Sequence, residues 1–160
     1  GIAGIIQTHG QHGQVQVRAM TDALAHRGPD GEGFWSNTAS TVLLGHRRLA
    51  ILDLSLAAAQ PMQLQDRYTL IHNGEIYNYR EVRATLEGQG HSFHTGSDSE
   101  VLLTAYAVYG RDCLKHFDGM FAFAIWDEVE QTLFAARDRF GEKPFYYFKE
   151  KEKLKMVQLR

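Results

Sequence analysis

The chain has 160 residues, of which 44% are hydrophobic, and this is enough for one domain of ordinary size with a buried core. Charged residues make up 22% and the formal net charge is −2, which gives no electrostatic reason to expect nucleic acid or an anionic membrane as a partner. No apolar run reaches the roughly 20 residues of a membrane helix, and the single cysteine excludes an intrachain disulfide, so we expect a soluble cytoplasmic protein.

The first half of the chain is predicted to begin with a strand at residues 1–6 and to continue with a helix at 17–25. That helix ends before Gly28-Pro29. Residues 41–52 have the pattern of a strand, a bend and a second strand. A further strand is predicted at 68–72, before Asn73-Gly74.

The second half is predicted to contain two helices followed by strands. Asn78 and Ser97 are each followed three residues later by glutamate, which is typical of a helix start. The β-prone runs at 120–126, 132–137 and 145–148 indicate a hairpin and a third strand. Because short turns join the strands, we predict an α+β fold with antiparallel sheets.

The end of the chain differs in composition from the rest. Residues 150–160 combine a run of alternating charges with no turn signal. We therefore predict one domain over residues 1–149, followed by a linker or a truncated end at 150–160.

The pair Asn73-Gly74 has two interpretations. Asn-Gly is the strongest short hairpin signal and needs no function to explain it. Alternatively, the asparagine side-chain amide and the glycine backbone N–H aim at one point and stabilise a developing oxyanion. The local sequence leaves both open.

Three charged residues are candidates for binding an amino acid. Arg48, in an otherwise apolar strand pattern, is suited to clamp a carboxylate, although an ordinary ion pair explains it equally well. Asp98 stands at a predicted helix start, where capping is the default explanation. With Glu75 it would also suit a substrate ammonium group.

Other chemistry is disfavoured by the sequence. His91, His94 and Asp98 lack the spacing of a metal site, so we predict no metal. Cys113 has the features of a buried structural cysteine rather than a nucleophile. The glycine doublets do not form a nucleotide-binding motif, and we predict no cofactor in this domain.

Eight sequence blocks in a fixed order carry a resemblance to a known family. They are GIAGII, AHRGPDGEG, GHRRLAILDLS, QPM, HNGEIYNYRE, TGSDSEVLL, DCLKHFDGMFAFAIWD and ARDRFGEKPFYY. Together they resemble the N-terminal class II glutamine amidotransferase domain of glutamine-dependent asparagine synthetases. The resemblance covers nearly everything before residue 149.

The resemblance implies both a fold and a set of site residues. The fold is the N-terminal-nucleophile hydrolase sandwich, in which two antiparallel sheets lie between helical layers. Arg48 would hold the α-carboxylate of glutamine, Asp98 and Glu75 would receive its α-amino group, and the backbone from Leu49 to Ile51 would line the pocket. Asn73 and Gly74 would form the oxyanion hole.

The resemblance also implies a nucleophile that the printed chain lacks. Family members have a cysteine immediately before the segment that begins here at Gly1, and its α-amine is freed when the initiator methionine is removed. The chain as given is therefore expected to be inactive. The alternatives are an omitted cysteine and a natural domain that binds glutamine without hydrolysing it.

The implied partners lie outside this sequence. Ammonia from glutamine would pass to a C-terminal synthetase domain, which would use ATP and magnesium to make asparagine from aspartate. An amidotransferase with another ammonia acceptor is a further alternative, and a homodimer is possible.

Overall fold

The computed structural model of the chain describes residues 1–8, 13–49 and 56–158. The hydrogen bonds of these residues build two antiparallel sheets, and three helices cover the outer faces of the sheets. Among the described residues, no helix has the length and apolar character needed to cross a membrane.

The first sheet, sheet A, contains five strands within the described residues. In spatial order they are β2 (Gly31–Ser36), β3 (Val42–Arg48), β1 (Ile2–Gln7), β9 (Lys153–Val157) and β8 (Tyr146–Glu150). The first strand of the sequence is central, because β1 pairs with β3 on one side and with β9 on the other. Both edges of β1 are therefore satisfied by backbone hydrogen bonds.

The second sheet, sheet B, is a meander of four strands in the described part of the chain. Its order is β4 (Met62–Leu64), β5 (Tyr68–Ile76), β6 (Gly119–Asp127) and β7 (Thr132–Arg137). The two long central strands are paired along their whole length, from Tyr68 opposite Asp127 to Ile76 opposite Gly119.

The helices form the outer layers. α1 (Gly13–Ala23) packs on β1 and β3 of sheet A, and α3 (Asp98–Tyr109) packs on β5 of sheet B with α2 (Tyr79–Gly88) beside it. The resulting order of helix, sheet, sheet and helix is the four-layer sandwich of the N-terminal-nucleophile hydrolase fold. The predicted α+β class is confirmed.

An apolar layer joins the two sheets. Ile2 and Leu44 from sheet A meet Ile71 and Ala124 from sheet B, and all four side chains are fully buried. Burying an isoleucine or leucine contributes roughly 1.5–3 kcal/mol relative to exposure. Since each strand alternates its side chains between its two faces, this layer fixes which residues of β1, β3 and β5 point between the sheets.

The structure corrects the predicted end of the domain. The segment expected to be a linker contains most of a hairpin, and Ala3 is paired with Val157 and Ile6 with Leu154. The charges had suggested a linker or a truncated end, but Lys153 and Lys155 alternate along β9 with Leu154 and Met156, and Met156 is buried in the apolar layer.

The structure also corrects two local predictions, at residues 73–74 and at Asn78. Asn73-Gly74 is not a turn, because β5 continues through both residues to Ile76. Of the strand, bend and second strand predicted at 41–52, residues 41–49 contain β3, and residues 50–52 lie outside the described part of the chain. Asn78 does not cap α2 with its side chain, which instead donates to the His116 carbonyl and accepts from the Asp118 N–H.

Candidate functional site

The two neighbouring arginines of β3 lie on opposite faces of sheet A. Arg47 points to the helical side, where it donates to the Thr21 carbonyl at 3.2 Å and pairs with Asp22 at 2.5 Å and Glu32 at 2.9 Å. Arg47 therefore forms structural ion pairs on this face. The strand alternation places Arg48 on the other face, toward sheet B, together with His46 and Leu44.

Asn73 lies opposite this region on β5. Its register along the strand puts its side chain on the same face as Ile71, toward sheet A. The Asn73 Nδ2 donates to Oε1 of Gln158, a residue that is 1% exposed and lies directly after β9. An amide nitrogen carries two hydrogens, so this bond orients the Asn73 amide and leaves its second hydrogen for another acceptor.

Gly74 occupies a backbone position that other residues cannot adopt without strain. Its φ is 144°, and a Cβ built there would lie 2.1 Å from the Met120 carbonyl oxygen on β6. Both the conformation and the close approach therefore require glycine. The β5 backbone therefore departs from regular strand geometry at the residue that follows Asn73.

Asp98 is brought to the same segment of β5 by helix α3. Ser97 caps this helix, since its side chain accepts from the Ser99 N–H at 3.0 Å, which frees the Asp98 carboxylate from that role. Asp98 Oδ2 instead accepts from the Ile76 N–H at 2.9 Å, and the residue is buried. The carboxylate thus lies beside the strand, two residues after Gly74.

The start of β1 reaches the same end of the layer between the sheets. The Gly1 amino group donates to the Arg47 carbonyl at 2.7 Å, and the Arg47 N–H donates back to the Gly1 carbonyl at 2.8 Å. Burial, followed by the positive charges of Arg27 and Lys143, lowers the pKa of this amino group to about 5. An amine here is held in its neutral form near neutral pH.

Two buried histidines lie near these groups, His46 on β3 and His72 on β5. Burial is the main cause that lowers the pKa of His46 to about 3, and the charges of the Gly1 amine, His72 and Arg48 add to it. Burial also lowers the pKa of His72, and the Asp98 carboxylate opposes that shift. Both rings are therefore neutral near neutral pH, and the interactions of His46 place Arg48, Gly1 and His72 in one neighbourhood.

The buried ring of His46 is expected to make the protein less stable in acid. In the unfolded chain the pKa of His46 is about 6.5, so the unfolded state binds a proton there below that pH. The folded state binds this proton only near pH 3. This costs roughly 2 kcal/mol of unfolding free energy between about pH 7 and pH 5. Urea unfolding at both pH values should show a smaller loss for His46→Gln than for the parent.

The matched control for this prediction is His91→Gln, which makes the same change at an exposed position. The His91 variant should lose as much stability as the parent between the two pH values. An equal loss in the His46 and His91 variants would contradict the assignment of the acid sensitivity to His46.

The predicted site residues fall into three groups. Asn73 and Gly74 on β5 and Asp98 on α3 are brought together, and Glu75 is half-buried on the same stretch of β5. Arg48 faces the same layer from β3. Leu49 is 57% exposed just beyond the end of that strand, and Ile51 lies outside the described residues.

Sequence reasoning missed several polar residues of this region. Gln60, His72 and Ser99 are hydrogen-bonded to one another behind β5, and Gln158 contacts Asn73. The positive charge of Lys143 helps to lower the pKa of both the Gly1 amine and His72. The blocks QPM and ARDRFGEKPFYY contain Gln60 and Lys143 but gave no reason to single them out, because their partners are distant in sequence.

Comparison with solved structures defines the class of this fold. The chain superposes on glutamine phosphoribosylpyrophosphate amidotransferase from Bacillus subtilis, in complex with ADP and GMP, with a TM-score of 0.81. The superposition covers 97% of this chain and 41% of that chain, at 22% sequence identity. The likeness establishes an N-terminal-nucleophile hydrolase sandwich.

Comparison of sequences gives the family. Residues 1–157 match the profile of the glutamine amidotransferase domain, and the chain belongs to this family. It is 49% identical over 134 residues to asparagine synthetase [glutamine-hydrolyzing] 3 of Bacillus subtilis, covering 82% of this chain and 21% of that protein. The putative asparagine synthetase [glutamine-hydrolyzing] 2 of Methanocaldococcus jannaschii is 41% identical over 165 residues, covering 92% and 32%.

A relative of different description also matches. Amidase chry2 of Gibberella zeae is 42% identical over 142 residues, covering 87% of this chain and 21% of that protein. The chain thus spans about a fifth to a third of the length of these three relatives. It corresponds to one domain of such larger proteins.

Proposed function

We propose that this domain hydrolyses glutamine to glutamate and ammonia, as part of a larger cytoplasmic enzyme that uses the ammonia to make asparagine from aspartate. The glutamine-hydrolysing asparagine synthetases among the relatives motivate the overall reaction. ATP and magnesium would serve the synthetase domain. The observation that carries the proposal is the register of β1 against β3, from which the position of a residue placed before Gly1 is inferred.

The register of sheet A supports this position. Ile2 is paired with His46 and Gly1 exchanges hydrogen bonds with Arg47, so a preceding residue that extends β1 lies opposite Arg48. Ile2 points into the layer between the sheets, and side chains two apart share a face. A cysteine before Gly1 therefore directs its thiol into the layer that Asn73 and Arg48 face.

We assign the substrate contacts as follows. The Arg48 guanidinium pairs with the α-carboxylate of glutamine, and the Asp98 and Glu75 carboxylates receive its ammonium group. The backbone at Leu49 borders the bound glutamine, and Ile51, which the resemblance also implies for the pocket, lies outside the described residues. The second Asn73 Nδ2 hydrogen and the Gly74 N–H stabilise the oxyanion formed from the side-chain amide.

The reaction has two halves, both centred on the amide carbon of glutamine. The α-amine of the cysteine takes the thiol proton, the thiolate adds to the carbon, and the proton passes to the departing nitrogen as ammonia leaves. Water then attacks the thioester, releasing glutamate and restoring the thiol. This step needs the α-amine in its neutral form, because only an unprotonated nitrogen can take the thiol proton.

The test is to place one cysteine before Gly1, verify by mass that it is the free N-terminal residue, and measure glutamate release from glutamine. The cysteine-bearing chain is expected to release glutamate, because the thiol is the nucleophile of the proposed reaction. An alanine at the same position is the matched control and should give no release. A folded cysteine-bearing chain that binds glutamine without releasing glutamate would contradict the proposal and favour a binding domain.

A second candidate keeps glutamine hydrolysis but changes the ammonia acceptor. The match to amidase chry2, whose description names no asparagine synthesis, favours this alternative. Supplying the complete protein with amide-¹⁵N glutamine, ATP, magnesium and aspartate separates the two. Label in asparagine supports the first candidate, whereas label that stays in free ammonia supports another acceptor.

A further inference from the structure

A closed set of hydrogen bonds lies on the helical side of β5, behind the Asn73-Gly74 segment. The His72 backbone N–H donates to Oε1 of Gln60 at 2.6 Å, and Nε2 of the same glutamine donates to the Ser99 hydroxyl at 3.2 Å. One amide side chain therefore links strand β5 to the start of helix α3. Both His72 and Ser99 are buried, where hydrogen bonds are strengthened by the low local dielectric.

The set continues from Ser99 back to β5. The Ser99 hydroxyl lies 3.0 Å from His72 Nδ1 and 3.5 Å from Asp98 Oδ1, while Asp98 Oδ2 accepts from the Ile76 N–H at 2.9 Å. The path thus leaves β5 at residue 72 and returns to it at residue 76. Residues 73–75, which include both proposed oxyanion donors, lie between the two attachment points.

One assignment of the hydrogens forms all three side-chain bonds at the Ser99 hydroxyl. Ser99 has one hydrogen and two lone pairs. Gln60 Nε2 donates to one lone pair, so if His72 Nδ1–H donates to the other, the hydroxyl hydrogen is left for Asp98 Oδ1. The neutral Nδ1–H tautomer of His72 is therefore the one that lets Ser99 donate to Asp98.

Resting on the function proposed above, we propose that Gln60, His72 and Ser99 are positioning residues, which hold the Asp98 carboxylate and the Asn73-Gly74 segment in the arrangement that glutamine requires. None of the three is assigned a contact with substrate. They act through the residues that they hold, because a donor or carboxylate displaced by about 1 Å can cost on the order of 10²-fold in rate.

The shape of β5 explains why such support is needed. With φ at 144°, Gly74 departs from ordinary strand geometry. Glycine has no side chain that restricts φ, so the residue does not hold this conformation by itself. The hydrogen bonds at His72 and Ile76 fix the backbone on both sides of this residue. Asp98 gains a fixed orientation from the same bonds and retains lone pairs on both oxygens for a substrate ammonium.

The decisive variant is Ser99→Ala, measured in the complete protein with a cysteine before Gly1. We expect kcat/KM for glutamine to fall roughly 10- to 100-fold, as for loss of hydrogen bonds that orient a charged group. Ser92→Ala is the matched control, because it removes a hydroxyl at an exposed position nearby and should leave kcat/KM unchanged. Equal kcat/KM in the two variants would overturn the proposal.

A second readout separates positioning from general structural damage. Each enzyme is also assayed with glutaramate, which is glutamine without its α-amino group. A misplaced Asp98 should shrink the preference for glutamine over glutaramate roughly tenfold or more in Ser99→Ala. Damage that merely removes folded protein lowers both rates equally, so an unchanged preference would contradict the proposal.

Two further measurements apply if Ser99→Ala does not fold or if the parent enzyme is inactive. If Ser99→Ala does not fold, Gln60→Glu replaces it, since glutamate keeps the acceptor for the His72 N–H and loses the donor to Ser99. The preference should again shrink. If the cysteine-bearing parent releases no glutamate, the proposed hydrolysis fails by itself, and the preference is then read from calorimetric dissociation constants of the same variants for both compounds.

Discussion

Replacing Asn73 by alanine in the cysteine-bearing chain is expected to lower kcat for glutamine hydrolysis by roughly 10²- to 10³-fold. The KM for glutamine should change little, because the proposed bond from Nδ2 forms fully only when charge develops on the amide oxygen. Single-turnover release of ammonia measures the affected step directly.

The same substitution at a second asparagine, Asn78, distinguishes loss of the Asn73 donor from a general effect of removing an asparagine side chain. Asn78→Ala removes an asparagine whose amide links the start of α2 to His116 and Asp118, away from the proposed oxyanion site. Its kcat per folded molecule should equal that of the parent. An Asn73→Ala enzyme that turns over as fast as Asn78→Ala would remove Asn73 from the mechanism.

Replacing Gly74 by alanine is expected to destabilise the fold by roughly 3 kcal/mol or more and to abolish measurable glutamine hydrolysis. The added Cβ would lie 2.1 Å from the Met120 carbonyl oxygen, a backbone atom that moves only with β6, and the φ of 144° is itself unfavourable for alanine. Overpacking and backbone strain each cost about 1–3 kcal/mol. Urea unfolding and glutamate release measure the two effects.

The chain offers a matched control in Gly88, the last residue of α2. No heavy atom lies within 4 Å of a Cβ built there, so Gly88→Ala should keep full activity and change stability by about 1 kcal/mol at most. If both variants unfold at the same urea concentration, the close contact of β5 with β6 does not constrain Gly74.

The parts of the fold that follow from local pattern were predictable. The β6–β7 hairpin was predicted from two β-prone runs, and α3 was predicted from the Ser97 cap and the apolar run behind it. In both cases the residues that decide the structure are neighbours in sequence. The four-layer arrangement required the resemblance, since strand order between two sheets depends on pairings between distant residues.

Asn73-Gly74 shows where local pattern fails. The pair is the preferred hairpin turn, yet the pairing of β5 with β6 carries the strand through it, from Asn73 opposite Ala122 to Ile76 opposite Gly119. Tertiary pairing along the whole strand outweighs a two-residue preference. Glycine is needed there for close contact with β6 rather than for a turn.

The polar partners of the site could not be predicted either. Gln60 acquires its role from His72 and Ser99, and Gln158 from Asn73, across long stretches of sequence. A hydrogen bond between distant residues leaves no periodicity in a single sequence. Their charges alone had grouped Arg48 and Asp98 as candidates for binding an amino acid, and the resemblance added Asn73 to this set.

The central place of β1 in sheet A has a consequence for how the domain is made. Within the domain, β1 is synthesised before the other described strands, whereas β9, which closes its second edge through pairs such as Ala3 with Val157, is the last of them. Until β9 has been made, that edge of β1 has no backbone partner. Sheet A can therefore be completed only after the whole domain has left the ribosome.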